Sequence, residues 1–558
     1  MCQHNSRRSI TSKSPQSLFK RKHLSTALIA GALLGMGASS AYAEIGPYTQ
    51  QQRASEAYKL RVDAAKANEM KESLPHPDNG DEARYPSRIN SYSKGLPHDA
   101  LGVVLPGAYD ALIHALSTGE NSDFEAIPTG VPNGSKQRDP QISYAYFLEG
   151  RDPWSFTMPA APTFSSVQQA SESIEVLWQA LARDVHFSDY ATNSLTQQAA
   201  ADLSRFSDFR GPKSGGQVTP GTLFRGIAPG ELNGPYLSQF LWRPVPFGAM
   251  TITQRYNVPV ANNDHLTNYN EWLAIQNGAS PSGITTAVND TTPRYLRNNR
   301  DLAQYVLRDF NAQAYMNAAQ IINSFGSGVF ADSNPLNNSQ TQGREPMWGL
   351  NHVLDLVSRV AVMSQSTAWY QKYLVHRRAR PEVFFGRVHN HLTGAANYPL
   401  NAELLSSPAL SLTNSLKGSY LLPMATPSGS PLHPSYPAGH ATMAGAAVTV
   451  LKAYFKGSFV IPNPVVPNAD GTALIPYSGP ALTIEGELNK LATNIAIGRD
   501  AAGVHFRSDG DDGLALGEEM AISLLSDYIN TYHEDHPGFT FNKFDGTSVT
   551  ISKRKYYD

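Results

Sequence analysis

Cysteine is almost absent from this 558-residue chain, the one copy being Cys2. Disulfides, cysteine-held metals and thiol nucleophiles are therefore excluded from its chemistry. A chain without reactive thiols also suits a site that handles oxidants. Apolar runs long enough to span a bilayer are missing as well. The run from about Leu24 to Met36 falls short of the ~20 residues a span requires, and it is rich in Gly and Ala. It reads instead as the centre of an export leader, residues 1–43, between Lys20-Arg21-Lys22 and the cleavage triplet Ala41-Tyr42-Ala43. No stable membrane anchor is expected. Arg7-Arg8 lies too far from the apolar run for twin-arginine export, so Sec export to the periplasm or medium is the reading.

Excess positive charge is also lacking. Removing residues 1–43 takes away six Lys/Arg and no acid, which leaves 39 basic against 47 acidic residues. A balance of that sign excludes a general nucleic-acid binder. Strand-like alternation is scarce and no fixed-period repeat is visible, so the fold class expected is mainly α, with long loops. A polar arm is expected over 44–97, with one helix from Gln51 to Met70, followed by a helical catalytic body over 98–558. Within the body, helical spacing marks Ala108–Leu116, Ser165–Asp184, Leu266–Gln276 and one long stretch over Tyr295–Ser324. The loops Asn277–Pro293 and Phe325–Pro346 are long enough to be walls, lids or subunit contacts.

Three blocks carry chemistry. The first closes a predicted helix with Trp369, Lys372, His376 and Arg380, and Pro381 is expected to stop it; the four-residue spacing would set Lys372, His376 and Arg380 on one face. Arg377 and Arg378 read as cations offsetting the helix C-terminal dipole. Trp369 would wall a pocket or fill core. The second block is His433-Pro-Ser-Tyr-Pro-Ala-Gly-His440, running into the small-residue helix Ala441–Leu451. The first amides of that helix lack intrahelical acceptors and point at negative charge, Gly439 permits a close backbone approach, and an anion there would lie beside His440. The third block delivers Arg499 at the end of a helix from about Ile484, then His505 with Asp509 four residues on, before a helix from about Asp512. That spacing lets a carboxylate fix the tautomer of the imidazole. The acidic run Ser508–Asp512 is either a candidate calcium loop or helix N-terminal charge.

Lys372, Arg380 and Arg499 supply three cations, the Gly439 turn supplies amides, and His440 and His505 supply two imidazoles. Such a set suits a tetrahedral oxyanion, phosphate or vanadate, with one imidazole on the central atom and the other handling a proton.

In these blocks the chain resembles the vanadium-dependent haloperoxidases, which share their anion site with the type 2 phosphatidic acid phosphatase superfamily. The residues that carry the likeness are Lys372…Arg380-Pro381, Pro437-Ala-Gly-His440 and Arg499…His505. The flanks Trp369-Tyr-Gln-Lys372, Val375-His-Arg377 and His433-Pro-Ser-Tyr-Pro437 resemble the algal and bacterial bromoperoxidase branch. Weaker likeness runs from about Tyr85 to Asp535. The resemblance implies helical-bundle architecture with two four-helix-bundle-like units, and vanadate held by His505, Lys372, Arg380, Arg499 and the Gly439 amide. It further implies His440 as proton shuttle, Lys372 polarising bound peroxide, and hypohalous acid made from hydrogen peroxide and halide for organic acceptors. His433 stands where bromoperoxidases have His, so bromide and iodide are the halides implied. Related bromoperoxidases and the arm suggest a homodimer or larger oligomer.

One position departs from the pattern. Ala438 replaces a serine whose hydroxyl would donate to the oxyanion, and a hydrogen bond to a charged group is worth ~1.5–3 kcal/mol, or about ten- to a hundredfold in affinity. Two other functions fit the same residues. One is an exported acid phosphatase with His505 as nucleophile oriented by Asp509; the other is a non-catalytic oxyanion-binding protein.

Overall fold

The structure, a computed structural model, describes residues 45–554 apart from 73 and 283. The leader reading, residues 1–43, lies outside them. The described chain divides at Glu56, and from Ala57 onward it forms one compact unit. The helix Gln50–Glu69 buries none of its residues, whereas by Lys94 the chain is fully inside, with Nζ 2.6 Å from Glu382. Helices dominate, as expected. The strands among the described residues form three two-stranded antiparallel ribbons, Val245–Phe247 with Met250–Ile252, Val465–Pro467 with Leu474–Pro476, and Phe539–Asn542 with Ser548–Ile551. No described helix is long and apolar enough to cross a membrane.

The centre is a bundle of Leu350–Trp369, Ile484–Ala501 and Arg507–Tyr528 around Gly439–Tyr454. Every residue of Gly439–Tyr454 is buried except His440. Its run of Gly, Ala and Thr makes that possible, because neighbouring backbones come too close for larger side chains. A Cβ on Gly445 would meet the Leu514 carbonyl at 2.1 Å, and one on Gly517 would meet the Thr442 carbonyl at 1.9 Å. Interiors this dense leave no slack to absorb either.

Three helix boundaries differ from the sequence reading, and each difference moves a functional residue. Trp369 is followed by a π-helical stretch, Tyr370–His376, that ends on Arg377 in the left-handed region (φ 40°). Pro381 does not stop this helix; it opens the next, Pro381–Leu392, with Arg380 at its N-cap. Proline at the first helical position loses only an amide that had no acceptor, so it starts helices as readily as it ends them. Lys372, His376 and Arg380 consequently share no helical face. His376 packs edge-to-face on Tyr436 with ring centroids 4.7 Å apart, and burial takes its pKa down to about 3.

The stretch expected as one helix over Tyr295–Ser324 is two, Asn299–Arg308 and Gln313–Asn323, broken at a turn with Ala312 at φ 67°. Finally, the last long helix begins at Arg507, not Asp512. The run Ser508–Asp512 is thus helix rather than a calcium loop, and its acids are already engaged: Asp509 with Arg378 and His505, Asp512 accepting from the Tyr436 hydroxyl at 2.8 Å.

Candidate oxyanion site

His505 leaves the turn between Ile484–Ala501 and Arg507–Tyr528, and it is 1% exposed. Its Nδ1 lies 2.9 Å from Asp509 Oδ2. That oxygen also accepts from the Ser435 hydroxyl at 2.5 Å and from the Phe506 amide at 3.1 Å. Arg378 donates to Asp509 Oδ1 at 2.7 Å and to the Ser508 hydroxyl at 2.9 Å. A carboxylate oxygen facing Nδ1 puts the ring proton there and leaves Nε2 as an acceptor, which Arg380 engages at 2.9 Å. Burial first, and then the charges of Arg380, Lys372 and Arg499, hold His505 well below the ordinary imidazole range. The site therefore favours the neutral imidazole.

Nε2 faces Arg380, whose terminal nitrogen is 2.9 Å away. The same nitrogen donates to the Val504 carbonyl, and the other two donate to the His433 carbonyl and to His433 Nδ1. Lys372 Nζ donates to the carbonyls of Pro434 and Ser435, both at 2.7 Å. Arg499 donates to the Val306 carbonyl at 2.7 Å, and its Nε has no partner. None of these buried cations makes an ion pair with a carboxylate among the described residues. Lys94 shows the contrast, because its equally buried ammonium meets Glu382 at 2.6 Å. Burial, with the repulsion of its ammonium by Arg380 and Arg499 added, holds Lys372 well below its usual range. Burial likewise brings Arg380 and Arg499 down to about 10. Gathering unpaired charges away from water is costly, and a bound anion is what would offset it. The donor set accordingly fits an oxyanion with an open site for a neutral imidazole.

Ala438 is the N-cap of Gly439–Tyr454 and has no capping side chain; its own amide donates to the Asp509 carbonyl at 2.7 Å. The first turn thus presents its amides towards the site end of the helix. Gly439 has a role the sequence did not show: a Cβ there would strike the Trp369 ring at 2.8 Å. Trp369 packs against the candidate site. Its ring lies 4.5 Å from that of His433 and 5.7 Å from Lys372 Nζ, and its indole N–H is anchored on the Arg138 carbonyl at 2.8 Å. Burial and the surrounding cations hold His433 well below the imidazole range. His440 is the partly open member of the histidine and cation set, with 26% side-chain exposure, and its Nε2 is 3.1 Å from Asp309 Oδ1.

Three participants were not found from the sequence. Asp309 sits in the break between Asn299–Arg308 and Gln313–Asn323, 131 residues from His440. Arg378, read as a helix-dipole cation, instead grips Asp509 and reaches Gln169 Oε1 at 2.7 Å. Its neighbour Arg377 pairs with Glu82 at 2.8 Å. Ser435 lies inside the second block, but nothing local assigns its hydroxyl to Asp509.

A family model described as the VCPO second helical-bundle domain matches residues 354–533, which contain all three blocks. The vanadium-dependent bromoperoxidase of Ascophyllum nodosum is 34% identical over 528 residues, covering 90% of this chain and 93% of that protein. That of Corallina pilulifera is 33% identical over 597 residues, covering 90% and 99%. The structure of a second vanadate-dependent bromoperoxidase from Ascophyllum nodosum, described as homohexameric, superimposes with a TM-score of 0.87. Its sequence is 29% identical, and the match covers 94% of this chain and 95% of the other. With relatives so similar along nearly their whole length, the chain belongs to the vanadium-dependent bromoperoxidase family.

Proposed function

We propose that this protein is a vanadate-dependent haloperoxidase that oxidises bromide or iodide with hydrogen peroxide to hypohalous acid, which then halogenates organic acceptors. The observation that carries this reading is the cluster of Lys372, Arg380 and Arg499, buried around the neutral imidazole of His505 with no counter-carboxylate among the described residues. Lys372, Arg380, Arg499 and the amides beginning at Gly439 would hold the vanadate oxygens, and His505 Nε2 would hold vanadium. The bound group would supply Lewis-acid activation of hydrogen peroxide towards halide.

The protein's own side chains account for the rest. Asp509, fixed by Arg378 and Ser435, keeps His505 in the tautomer that presents Nε2. Asp309 holds His440 through Nε2, leaving Nδ1 to take a proton from peroxide and return it to the leaving oxygen. The net reaction, hydrogen peroxide plus halide plus one proton giving hypohalous acid and water, needs such a carrier. Lys372 places positive charge where peroxide oxygen would bind. Neutral His433, packed on Trp369, lines the halide side with polarisable rings. The leader supports export, and the homohexameric relative supports a homo-oligomer.

The decisive experiment is bromination of a phenolic dye by the purified protein with peroxide and bromide, with and without vanadate. The expected result is vanadate-dependent turnover that His505→Ala abolishes. Hydrolysis of a phosphate ester with no bromide or iodide oxidation at saturating vanadate would refute the proposal in favour of a phosphatase.

A further inference from the structure

The helix Val167–Leu181, marked in the sequence by its spacing alone, carries two carboxylates into the interior: Glu172 is 2% exposed and Glu175 1%. Buried carboxylates persist where donors meet them. Both reach the first turn of Arg507–Tyr528, but they do so differently. Glu175 is gripped by Arg507 at 2.5 and 2.8 Å. Glu172 Oε2 accepts from the Ser508 hydroxyl at 2.6 Å and from Arg378 at 3.4 Å, and Oε1 accepts from the Gln168 amide at 2.8 Å. Each of these partners is a donor, which is the setting of an ionised carboxylate. Arg378, 1% exposed, therefore lies between two carboxylates, 2.7 Å from Asp509 and 3.4 Å from Glu172. Its guanidinium sits 4.2 Å from the Phe506 ring centroid and donates to Gln169 at 2.7 Å, contacts that fix it between the two.

We propose that Glu172 is a positioning residue: it shares Arg378 with Asp509, and so sets how strongly Asp509 polarises His505. A cation that belonged to Asp509 alone would draw negative charge away from the oxygen facing His505 Nδ1. Glu172 offsets part of that pull, which leaves Asp509 the stronger acceptor and Nε2 the more basic nitrogen. Ser508 completes the chain, because its hydroxyl accepts from Arg378 at 2.9 Å and donates to Glu172. This role rests on the reading of His505 as the nitrogen that meets the anion; halide oxidation is no part of it. Two effects of opposite sign meet at Glu172. As bare negative charge near an anion site it weakens binding, whereas as a support for His505 it strengthens binding. Glu175 separates the two, being the same charge on the same helix with Arg507 rather than Arg378 as its partner.

Hydrogen phosphate is the probe, since it needs neither peroxide nor halide and its P–OH can donate to Nε2. Calorimetry compares wild type, Glu172→Gln and Glu175→Gln. Glutamine keeps the shape of each side chain, and a turn of the Gln168 amide accommodates the new NH2 at position 172. Outer partners of a ligating imidazole are worth about 10- to 100-fold, and Glu172 stands one contact further out, so Glu172→Gln should bind phosphate about tenfold more weakly than Glu175→Gln. In histidine-labelled protein, the nitrogen-15 signal of His505 Nδ1, assigned by its loss in His505→Ala, should move upfield in Glu172→Gln as its bond to Asp509 weakens, and stay in place in Glu175→Gln. A packing defect alone would lower Tm without moving that signal. Equal phosphate affinity in the two variants, or an unmoved His505 signal in Glu172→Gln, would overturn the proposal. Should a glutamine variant fail to fold, Ser508→Ala carries the test with no change of charge: weaker phosphate binding and a shifted His505 signal are expected, and wild-type values for both would overturn it. Vanadate-dependent bromination by the wild type is read apart from these. Its absence beside the expected phosphate pattern would sink the haloperoxidase reading and leave Glu172 in its role.

Discussion

Ala438 offers a sharp test of how the site holds its anion. It caps Gly439–Tyr454 without a side-chain acceptor, and it is fully buried beside the amides of the first turn. Ala438→Ser places a hydroxyl where it can act in two directions at once. Its oxygen can accept from the amide two or three residues on, which stabilises a helix by ~0.5–2 kcal/mol. Its proton can go to an oxyanion oxygen, a charge-assisted bond of ~1.5–3 kcal/mol. The two are compatible because Gly439, first in the helix, is not the amide a cap engages. The expected outcome is a small rise in Tm and a vanadate Kd lowered by about ten- to a hundredfold. Equilibrium dialysis of vanadate against the apoprotein measures the second, with inorganic phosphate as a redox-silent competitor. A rise in Tm with unchanged Kd would show that the hydroxyl only caps the helix. It would refute the argument that the serine-to-alanine departure weakens anion binding.

Other consequences follow from the same geometry. Asp309→Asn removes the charge that orients His440, so kcat should fall about tenfold or more while vanadate affinity changes little; steady-state kinetics with a parallel vanadate titration separates the two. Arg378→Lys cannot span Asp509 and Gln169 together, and calorimetry should show phosphate binding weakened about tenfold through loss of His505 alignment. Glu231 is not a member of the oxyanion set. Burial raises its pKa to about 8, Thr493 donates to one oxygen and the other has no partner. Because the folded pKa exceeds the unfolded value, Glu231 costs stability progressively from pH ~4.5 up to pH 8, at ~1.4 kcal/mol per unit. Glu231→Gln should therefore raise Tm at pH 8 by more than at pH 5, and equal shifts at both pH values in thermal melts would contradict this.

The sequence by itself determined the helical class, because apolar residues recur at helical spacing and strands leave little trace. It also supplied the candidate residues of the oxyanion site. Lys372 with Arg380, His433 with His440, and Arg499 with His505 and Asp509 each lie within one block, where chain connectivity keeps them close. What local spacing misjudged were boundaries. Proline at 381 reads the same whether it ends one helix or begins the next, and the π-helical turn at Tyr370–His376 has no periodic signature. Only the tertiary structure decided that Gly439 is glycine because of the Trp369 ring, and that Arg378 rather than Arg380 holds Asp509. It alone joined Asp309 to His440 across 131 residues and left Lys372, Arg380 and Arg499 without a carboxylate partner among the described residues. The reason is physical: which charges are paired depends on what surrounds them in space, and no window along the chain contains both partners of such a contact.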